Sequence, residues 1–172
     1  MTAPMRPVLL NSCARAATAE ELRYRIDRPI RPRRGARVVA LDELAARVVR
    51  DVAAQTWNAA RFYLSALRVP ANGAGGGRAV VLRSVDRTRT SLDTELADAD
   101  VVVMVAAADG NGATASAIGR ACASRGIMAA GIILGDARDV RDVVSALRPH
   151  AQVLMVTSDE QDLSEVLTAL RA

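Results

Sequence analysis

The sequence predicts an α/β protein with a small doubly wound, mainly parallel sheet of four to five strands, of the Rossmann or flavodoxin kind. Two observations carry this prediction. Short apolar runs alternate with helical patterns over the second half of the chain, and these runs lack the polar alternation of half-exposed strands, which is typical of parallel strands covered on both faces. A chain of 172 residues, 51% of them apolar, is also long enough to build one domain with its own core.

The alternating patterns occupy residues 78–172, which we expect to form the body of the domain. The predicted strands are RAVVLRSV, DVVVMVAAA, IMAAGIIL and AQVLMVT, and the predicted helices cover 90–97, 113–125, 137–147 and 160–170. The connections between them are short. Four strands joined in this way give the doubly wound arrangement, with helices on the faces of the sheet.

The segment before the body has a helical period. Apolar residues recur at three- and four-residue steps through 41–67, which predicts one amphipathic helix of about 27 residues over 41–68. Pro70 and the glycine-rich link 71–77 are expected to end this helix. A single α/β domain over 41–172 follows, with the long helix covering one face of the sheet.

Residues 1–40 are expected to form an extended, basic arm. Pro4, Pro7, Pro29 and Pro32 disfavour regular helix or central strand, and arginines are concentrated in ELRYRIDRPIRPRRGAR. The arm is either solvated or ordered by a partner. Such a partner would be a second copy of the chain, giving a homodimer, or a larger protein assembly.

Composition excludes several classes of function. All 23 basic residues are Arg, so a Schiff-base lysine, attachment of pyridoxal phosphate and a Walker A lysine are excluded. Aromatic residues make up only 2% of the chain, which argues against binding of nucleic acid by base stacking. The start does not resemble a signal peptide, and no apolar run reaches the roughly 20 residues that span a bilayer. We therefore expect a cytoplasmic protein that binds neither nucleic acid nor a membrane.

Loop 106–116, AAADGNGATAS, has the residues of an anion site. In open parallel sheets ligands lie beyond the carboxyl ends of the strands, where this loop is expected to be. Its glycines permit positive φ and close approach of a ligand, and its hydroxyl groups can donate hydrogen bonds. The ligand-binding residues expected here are Asp109, Gly110, Asn111, Gly112, Thr114 and Ser116.

A negative charge at Asp109 opposes an anionic ligand in this loop, because like charges near 4 Å repel by about 4 kcal/mol at an effective dielectric of 20. We expect Arg87 or Arg89, from the SVDRTRT loop, to offset that charge. The alternative is that D-G-N-G is ordinary turn chemistry and that Thr114 is a helix cap.

No catalytic residue, metal ligand or cofactor is assigned from the sequence. The single histidine, His150, precedes a strand and is expected at the sheet edge opposite the ligand loops, which argues against a histidine-dependent triad or metal site. Acidic residues follow each of the four predicted strands, and these either cap the next helix or bind Mg²⁺ or act as a general base. They are Asp86, Asp109, Asp136 and Asp159.

Residues 78–158, with the strand GRAVVL and the segment ADADVVVMVAAADGNGATASAIGRACASRGIMAAGIIL, resemble the sugar isomerase (SIS) domain of phosphosugar-binding proteins. That family has a D-V-V-I-x-I-S strand, a Ser-Gly-Asn-Thr-like loop and a helix ending in A-x-x-x-G. Here Ala and Asp replace most of the loop hydroxyls, and the isomerase His, Glu and Lys are not matched. The resemblance implies a binding or scaffold derivative without isomerase activity. Residues 100–126 are also similar to the phosphate loop of the tubulin/FtsZ family, without its G-G-G-T-G-T-G.

Two functions are predicted. The first is a small α/β binding module for an anionic or phosphorylated small molecule, with a regulatory and non-catalytic role. The alternative is a non-catalytic accessory or scaffold subunit that docks on a larger protein assembly through its N-terminal arm.

Overall fold

A computed structural model describes residues 35–70, 78–107, 111–136, 140–170 and 172. The chain folds as an α/β protein around a seven-stranded, mostly parallel sheet. The strands are β1 (Ala36–Ala40), β2 (Arg61–Pro70), β3 (Arg78–Ser84), β4 (Arg89–Ser91), β5 (Val101–Ala106), β6 (Met128–Leu134) and β7 (Val153–Thr157). The helices are α1 (Glu43–Ala53), α2 (Leu92–Leu96), α3 (Gly112–Ala123), α4 (Arg141–Leu147) and α5 (Gln161–Ala169). A 3-10 turn at Arg148–His150 precedes β7.

The strands lie in the order β4-β3-β2-β1-β5-β6-β7. Five of these strands, β2, β1, β5, β6 and β7, run parallel to one another. β3 pairs antiparallel with β2, and β4 pairs antiparallel with β3, so these two strands extend the sheet beyond β2. The chain leaves β1 toward β2 on one side and returns from β4 to β5 on the other side of β1. The sheet is therefore doubly wound, which is consistent with a Rossmann-like fold.

Helices cover both faces of the sheet. One core cluster joins α1 and α5 to one face, with fully buried side chains such as Val49 and Leu163. The other cluster joins α2, α3 and α4 to the opposite face, through side chains such as Ile118 and Leu147. Because the central strands are buried on both faces, their sequences are continuous apolar runs. None of the helices in the described ranges has the length and apolar character needed to span a bilayer.

The predicted helix over 41–68 is wrong in its second half. Helix α1 ends at Ala53, and the chain then forms the strand β2. Phe62 and Leu64 pack on one face of this strand, and Tyr63 packs on the other. A short run that is apolar on both faces fits a helical spacing and a buried strand equally well, so the period alone cannot separate them. The aromatic pair FY favours a strand.

The sheet is larger than the four to five strands predicted, because β1, β2 and β4 were not recognised. β1 lies inside the segment 1–40 that was expected to be an extended arm. Residues 1–34 of that segment, and the glycine-rich link 71–77, lie outside the described residues. The sequence of β1 hides its place in the core because it contains Arg37, a charged residue that is only 1% exposed. Its buried partner, Glu95, is distant in the sequence.

Candidate functional site at the carboxyl edge of the sheet

The strand order has one switch point, between β1 and β5. The connections from these two neighbouring strands run to opposite sides of the sheet, so the loops that follow them diverge. In open α/β sheets this divergence leaves a crevice beyond the carboxyl ends of the strands, which is where ligands bind. The described residues of loop 106–116, which are 106–107 and 111–116, follow β5 at its carboxyl end, where the sequence predicts the loop.

Asp42 joins the two loops at the switch point. Its Oδ1 accepts a hydrogen bond from the backbone N–H of Ala45 at 2.8 Å and so caps α1. Its Oδ2 accepts a hydrogen bond from the backbone N–H of Ala107 at 2.6 Å. Leu41 N–H also donates to Val105 O at 2.8 Å. Sequence reasoning missed Asp42, although an Asp just before an apolar helical period is a typical N-cap.

Helix α3 begins within the predicted ligand loop. The Oδ1 of Asn111 accepts a hydrogen bond from the backbone N–H of Thr114 at 3.2 Å, so Asn111 is the cap of this helix. Thr114 itself is only 2% exposed. It therefore packs in the first turn of α3 and is not the cap proposed as the alternative reading. Asp109 and Gly110 lie outside the described residues, so their expected roles stay predictions.

Gly112 does not use the positive φ that a glycine permits, since its φ lies outside the left-handed region. A Cβ added at Gly112 would lie 3.1 Å from the Cβ of Ala146 on α4. This glycine therefore permits close packing of α3 on α4. A larger residue at position 112 would disturb that packing whether or not a ligand binds nearby.

Ser116 lies one turn into α3 and is half-buried. Its hydroxyl accepts a hydrogen bond from Nη1 of Arg120, four residues further along the helix. The sequence did not single out Arg120, although an i, i+4 spacing on a helix brings the two side chains together. Ser116 thus already has a hydrogen-bond partner within α3.

Arg87 and Arg89 do not lie at this edge of the sheet. Strand β3 is antiparallel to β2, so the turn that follows β3 lies beside the amino end of β2, with Ser84 paired to Tyr63. Arg87 is in this turn, with φ +69, and Arg89 begins β4. The expectation that either arginine offsets the charge of Asp109 is corrected, because it assumed that β3 is parallel to the other strands.

A groove of about 460 Å³ lies at the carboxyl edge, beside α1. Its lining combines one face of α1 with the segments that follow β5, β6 and β7. The lining residues are Leu44, Arg47, Val48, Asp51, Ala107, Leu134, Gly135, Ser158 and Glu160. Ala107, which is bonded to Asp42, places this groove next to the switch point. The volume is within the range typical of small-molecule pockets.

Arg47 is the cationic residue in the lining of this groove. Its side chain is exposed, and no acid among the described residues lies within ion-pair distance of it. A guanidinium group offers several N–H donors in a planar fork that fits carboxylate and phosphate. The sequence analysis did not single out Arg47.

The acids that follow the strands do not form one cluster. Asp86 lies in the turn after β3, at the opposite edge, where its Oδ1 accepts a hydrogen bond from the backbone N–H of Thr88 at 3.0 Å. This bond is the main cause of a lowered pKa for Asp86. Asp159 accepts a hydrogen bond from the backbone N–H of Gln161, the first residue of α5, at 2.8 Å. Within the described ranges, no group of three or more His, Cys, Asp or Glu residues is placed to hold a metal ion.

A buried ionic cluster occupies the amino edge of the sheet. The Nε of Arg37 lies 3.2 Å from Oε2 of Glu95, and Nη1 of Arg61 lies 3.1 Å from the same oxygen. Thr90 donates a hydrogen bond to Oε1 of Glu95 at 3.2 Å. Glu95 therefore joins α2 to β1, β2 and β4. A cleft of about 490 Å³ borders the cluster, with Arg61, Tyr63 and Glu95 in its lining.

Burial and hydrogen bonding act in opposite directions on this cluster. Burial is the largest single influence on the pKa of Glu95 and raises it, but hydrogen bonds from Tyr63, Arg61 and Thr90 together lower the pKa below its usual value. Burial raises the pKa of Tyr63 above its usual value, and its hydrogen bond to Glu95 adds to this shift. The partners of Glu95 satisfy its carboxylate, so the cluster is a structural link between elements.

His150 lies in the turn before β7, at the amino edge of the sheet, as the sequence predicts. It packs against α3, since a Cβ added at Gly119 would lie 2.6 Å from the Cβ of His150. His150 and the groove therefore lie at opposite edges of the sheet. It takes no part in a site there.

Comparison with known proteins gave no match: no protein-family model, no curated protein and no solved structure is similar to this chain. The resemblance to the sugar isomerase domain accordingly stays a prediction from the motifs in the sequence.

Proposed function

We propose that this protein is a small α/β module that binds an anionic or phosphorylated small molecule in the groove at the carboxyl edge of its sheet. The observation that supports this most directly is the position of the groove, which lies beside the switch point between β1 and β5. This is the place where doubly wound sheets bind their ligands. The volume of about 460 Å³ suits a molecule the size of a sugar phosphate or a nucleotide.

Arg47 is the residue to which we assign the anionic group of the ligand. It lines the groove, it is exposed, and it has no acidic partner among the described residues. Replacing the water around this guanidinium with a carboxylate or phosphate would form a charge-assisted hydrogen bond, for which about 1.5–3 kcal/mol is typical.

The other polar residues of the groove favour a ligand that also carries hydroxyl groups. Asp51 and Glu160 offer carboxylate oxygens as acceptors, and Ser158 offers a hydroxyl group. The same two carboxylates repel a ligand that carries several negative charges. We therefore propose a singly phosphorylated or carboxylated hydroxyl compound, such as a sugar monophosphate, in preference to a nucleoside triphosphate.

We propose a regulatory and not a catalytic role for this binding. In its support, the chain contains no Lys, and its only histidine lies at the opposite edge of the sheet. The polar side chains in the lining are Arg47, Asp51, Ser158 and Glu160, and within the described part of the chain no hydrogen bond joins the Ser158 hydroxyl to either of these carboxylates. The alternative role, an accessory subunit docked through its N-terminal arm, depends on residues outside the described ranges and stays a prediction.

The test is a comparison of Arg47→Gln with Arg50→Gln. Both arginines are exposed on α1, but only Arg47 lines the groove. Affinity for glucose 6-phosphate, ribose 5-phosphate, AMP and ATP is measured by isothermal titration calorimetry. We expect Arg47→Gln to weaken binding of a monophosphate roughly tenfold to a hundredfold, and Arg50→Gln to change it little. Equal affinities in the two variants would contradict the assignment of the groove.

A further inference from the structure

The two edges of the sheet differ in how they are protected. β4, at one edge, has only three residues and begins with the exposed Arg89, and a short charged strand is a poor template for pairing with another chain. β7, at the other edge, has five residues, VLMVT, without a charge or a proline. In the described part of the chain, β7 pairs with β6 alone.

The exposed side chains of β7 are apolar. Val153 is 55% exposed and Val156 is 38% exposed, on opposite faces of the strand. Met128, at the start of the neighbouring strand β6, is 50% exposed. Valine at the edge of a sheet gains from burial against another strand, at roughly 25 cal/mol for each Å² of apolar surface removed from water. The edge therefore has both apolar surface and backbone groups to offer a partner.

The backbone groups available at this edge can be identified. Gly135 N–H donates to Thr157 O at 2.8 Å, so the backbone of Thr157 faces β6. Backbone groups alternate between the two sides of a strand, so those of Val156 and Leu154 face outward. These outward N–H and C=O groups are the ones that a further strand would bind.

The charges at the two ends of β7 have opposite signs. Arg148 lies just before the strand, and Asp159 and Glu160 lie just after it. A second copy of β7 in the antiparallel direction would place the basic end of each strand beside the acidic end of the other. A parallel arrangement would place like charges together, which is unfavourable. The antiparallel arrangement also has two-fold symmetry and closes after two chains.

We propose that β7 is the interface of a homodimer, in which the β7 strands of two copies pair antiparallel and join the two sheets into one. The proposal does not depend on the proposed function, although Glu160, at the acidic end of β7, also lines the ligand groove.

The experiment compares the full chain with Val153→Lys, Val156→Pro and Leu67→Lys by sedimentation equilibrium at tens-of-micromolar concentration. Lysine at position 153 places a charge on the edge, and proline at position 156 removes an outward N–H without removing a bond to β6. Leu67 is a matched control, because it is an exposed apolar strand residue, at 51%, in a different strand, β2, where it pairs with Val81 of β3. Circular dichroism confirms that each variant is folded.

We expect the wild type and Leu67→Lys to be dimers. In each edge variant that is folded, Val153→Lys or Val156→Pro, we expect the dimer dissociation constant to rise at least tenfold. A monomeric wild type would overturn the proposal. So would a dimer whose dissociation constant is unchanged in a folded edge variant, since that result would place the contact elsewhere, for example in the arm.

A charge exchange tests the antiparallel direction. We expect Arg148→Glu to weaken the dimer several-fold, and Glu160→Arg in the same chain to restore part of the loss. In the double variant the charges at positions 148 and 160 are exchanged, so these two positions again carry opposite signs at both ends of the antiparallel pair. A double variant that dimerises more weakly than either single variant would overturn this direction.

Discussion

Oδ2 of Asp42 lies 2.6 Å from the backbone nitrogen of Ala107 and accepts its hydrogen bond, while Oδ1 of the same carboxylate caps α1. One side chain thus holds together the two loops that diverge at the switch point of the sheet. The proposed ligand groove borders this contact, because Ala107 is part of its lining. The stability of the carboxyl edge should therefore depend on Asp42.

Asp42→Ala should lower the free energy of unfolding by roughly 2–3 kcal/mol, because it removes a helix cap and leaves the Ala107 amide without its acceptor. Asp42→Asn should cost less, since the amide keeps one acceptor oxygen. Ser91→Ala is the matched control: the Ser91 hydroxyl caps α2 by accepting from Thr94 N–H at 3.1 Å and also lies 2.7 Å from the Thr94 hydroxyl, and its loss should cost about 1 kcal/mol. Urea unfolding measures all three. Equal losses for Asp42→Ala and Ser91→Ala would show that the second bond of Asp42 contributes nothing.

Glu95→Gln should be much more destabilising than Arg61→Gln. Removing the Glu95 charge takes from Arg37, which is 1% exposed, its nearer carboxylate and leaves the more exposed Asp98 at 3.9 Å, and breaking a buried ion pair typically costs about 3–5 kcal/mol. The Arg61 side chain is 57% exposed, so its ion pair with Glu95 should contribute less than about 1 kcal/mol. Chemical denaturation of the two variants gives the comparison, and a similar cost for both would contradict the structural role of Arg37.

The lowered pKa of Glu95 gives this stabilisation a pH dependence. A carboxyl group with a lower pKa in the folded state stabilises the protein above its unfolded pKa, and the contribution is lost as the pH falls through the folded pKa. Stability should thus decrease in acid below the usual pKa of glutamate, which is 4.5. Glu95→Gln should flatten this part of the curve, and an unchanged acid limb in the variant would argue against a contribution from Glu95.

The buried thiol of Cys122 should make the folded protein lose stability as the pH rises into the alkaline range. Burial raises the pKa of its thiol from 9.0 to about 11, so between these values the unfolded chain loses a proton that the folded chain keeps. The contribution of the neutral Cys122 thiol to stability is therefore complete below pH 9.0, and it is lost as the pH rises toward about 11. Unfolding at increasing pH in a Cys13→Ser background, with and without Cys122→Ala, measures this effect. Tyr63 should add a decline that begins near its usual pKa of 10.0, and both proteins share this decline. An equal loss of stability with rising pH in the proteins with and without Cys122→Ala would contradict the prediction.

Gly112→Val should destabilise the protein in the absence of any ligand. The added side chain meets Ala146 across the contact between α3 and α4, and overpacking of this kind costs about 1–3 kcal/mol. Ala146→Gly in the same chain should recover part of that loss by making room. Thermal unfolding of the single and double variants tests this. No recovery in the double variant would mean that the contact with α4 is not the cause.

The sequence predicted the elements whose patterns are local. The run DVVVMVAAA became β5, IMAAGIIL became β6, and the helical pattern from 113 became α3. Each is a continuous apolar run or a clear helical period bounded by turn residues. The position of loop 106–116 at the carboxyl edge followed from these elements alone.

The failures have a common cause, which is that they depend on distant partners. Arg37 is buried only because α2 brings Glu95 to it, and no local pattern records that pairing. The direction of β3 is set by its hairpin with β2, which the sequence did not identify as a strand. The placement of Arg87 and Arg89 depended on that direction. Arg47 was missed because its importance comes from the loops of β5, β6 and β7 around it.

The most direct measurement of the central claim is thermal unfolding of the wild type and of Arg47→Gln with sugar monophosphates and nucleotides. A ligand at 100 times its dissociation constant adds about 2.7 kcal/mol, which for a domain of this size is a rise of roughly 5–10 °C in the unfolding temperature. We predict such a rise for the wild type with a monophosphate, and a much smaller rise for Arg47→Gln. No rise with any compound, or an equal rise in the two proteins, would contradict a ligand site in the groove beside Arg47.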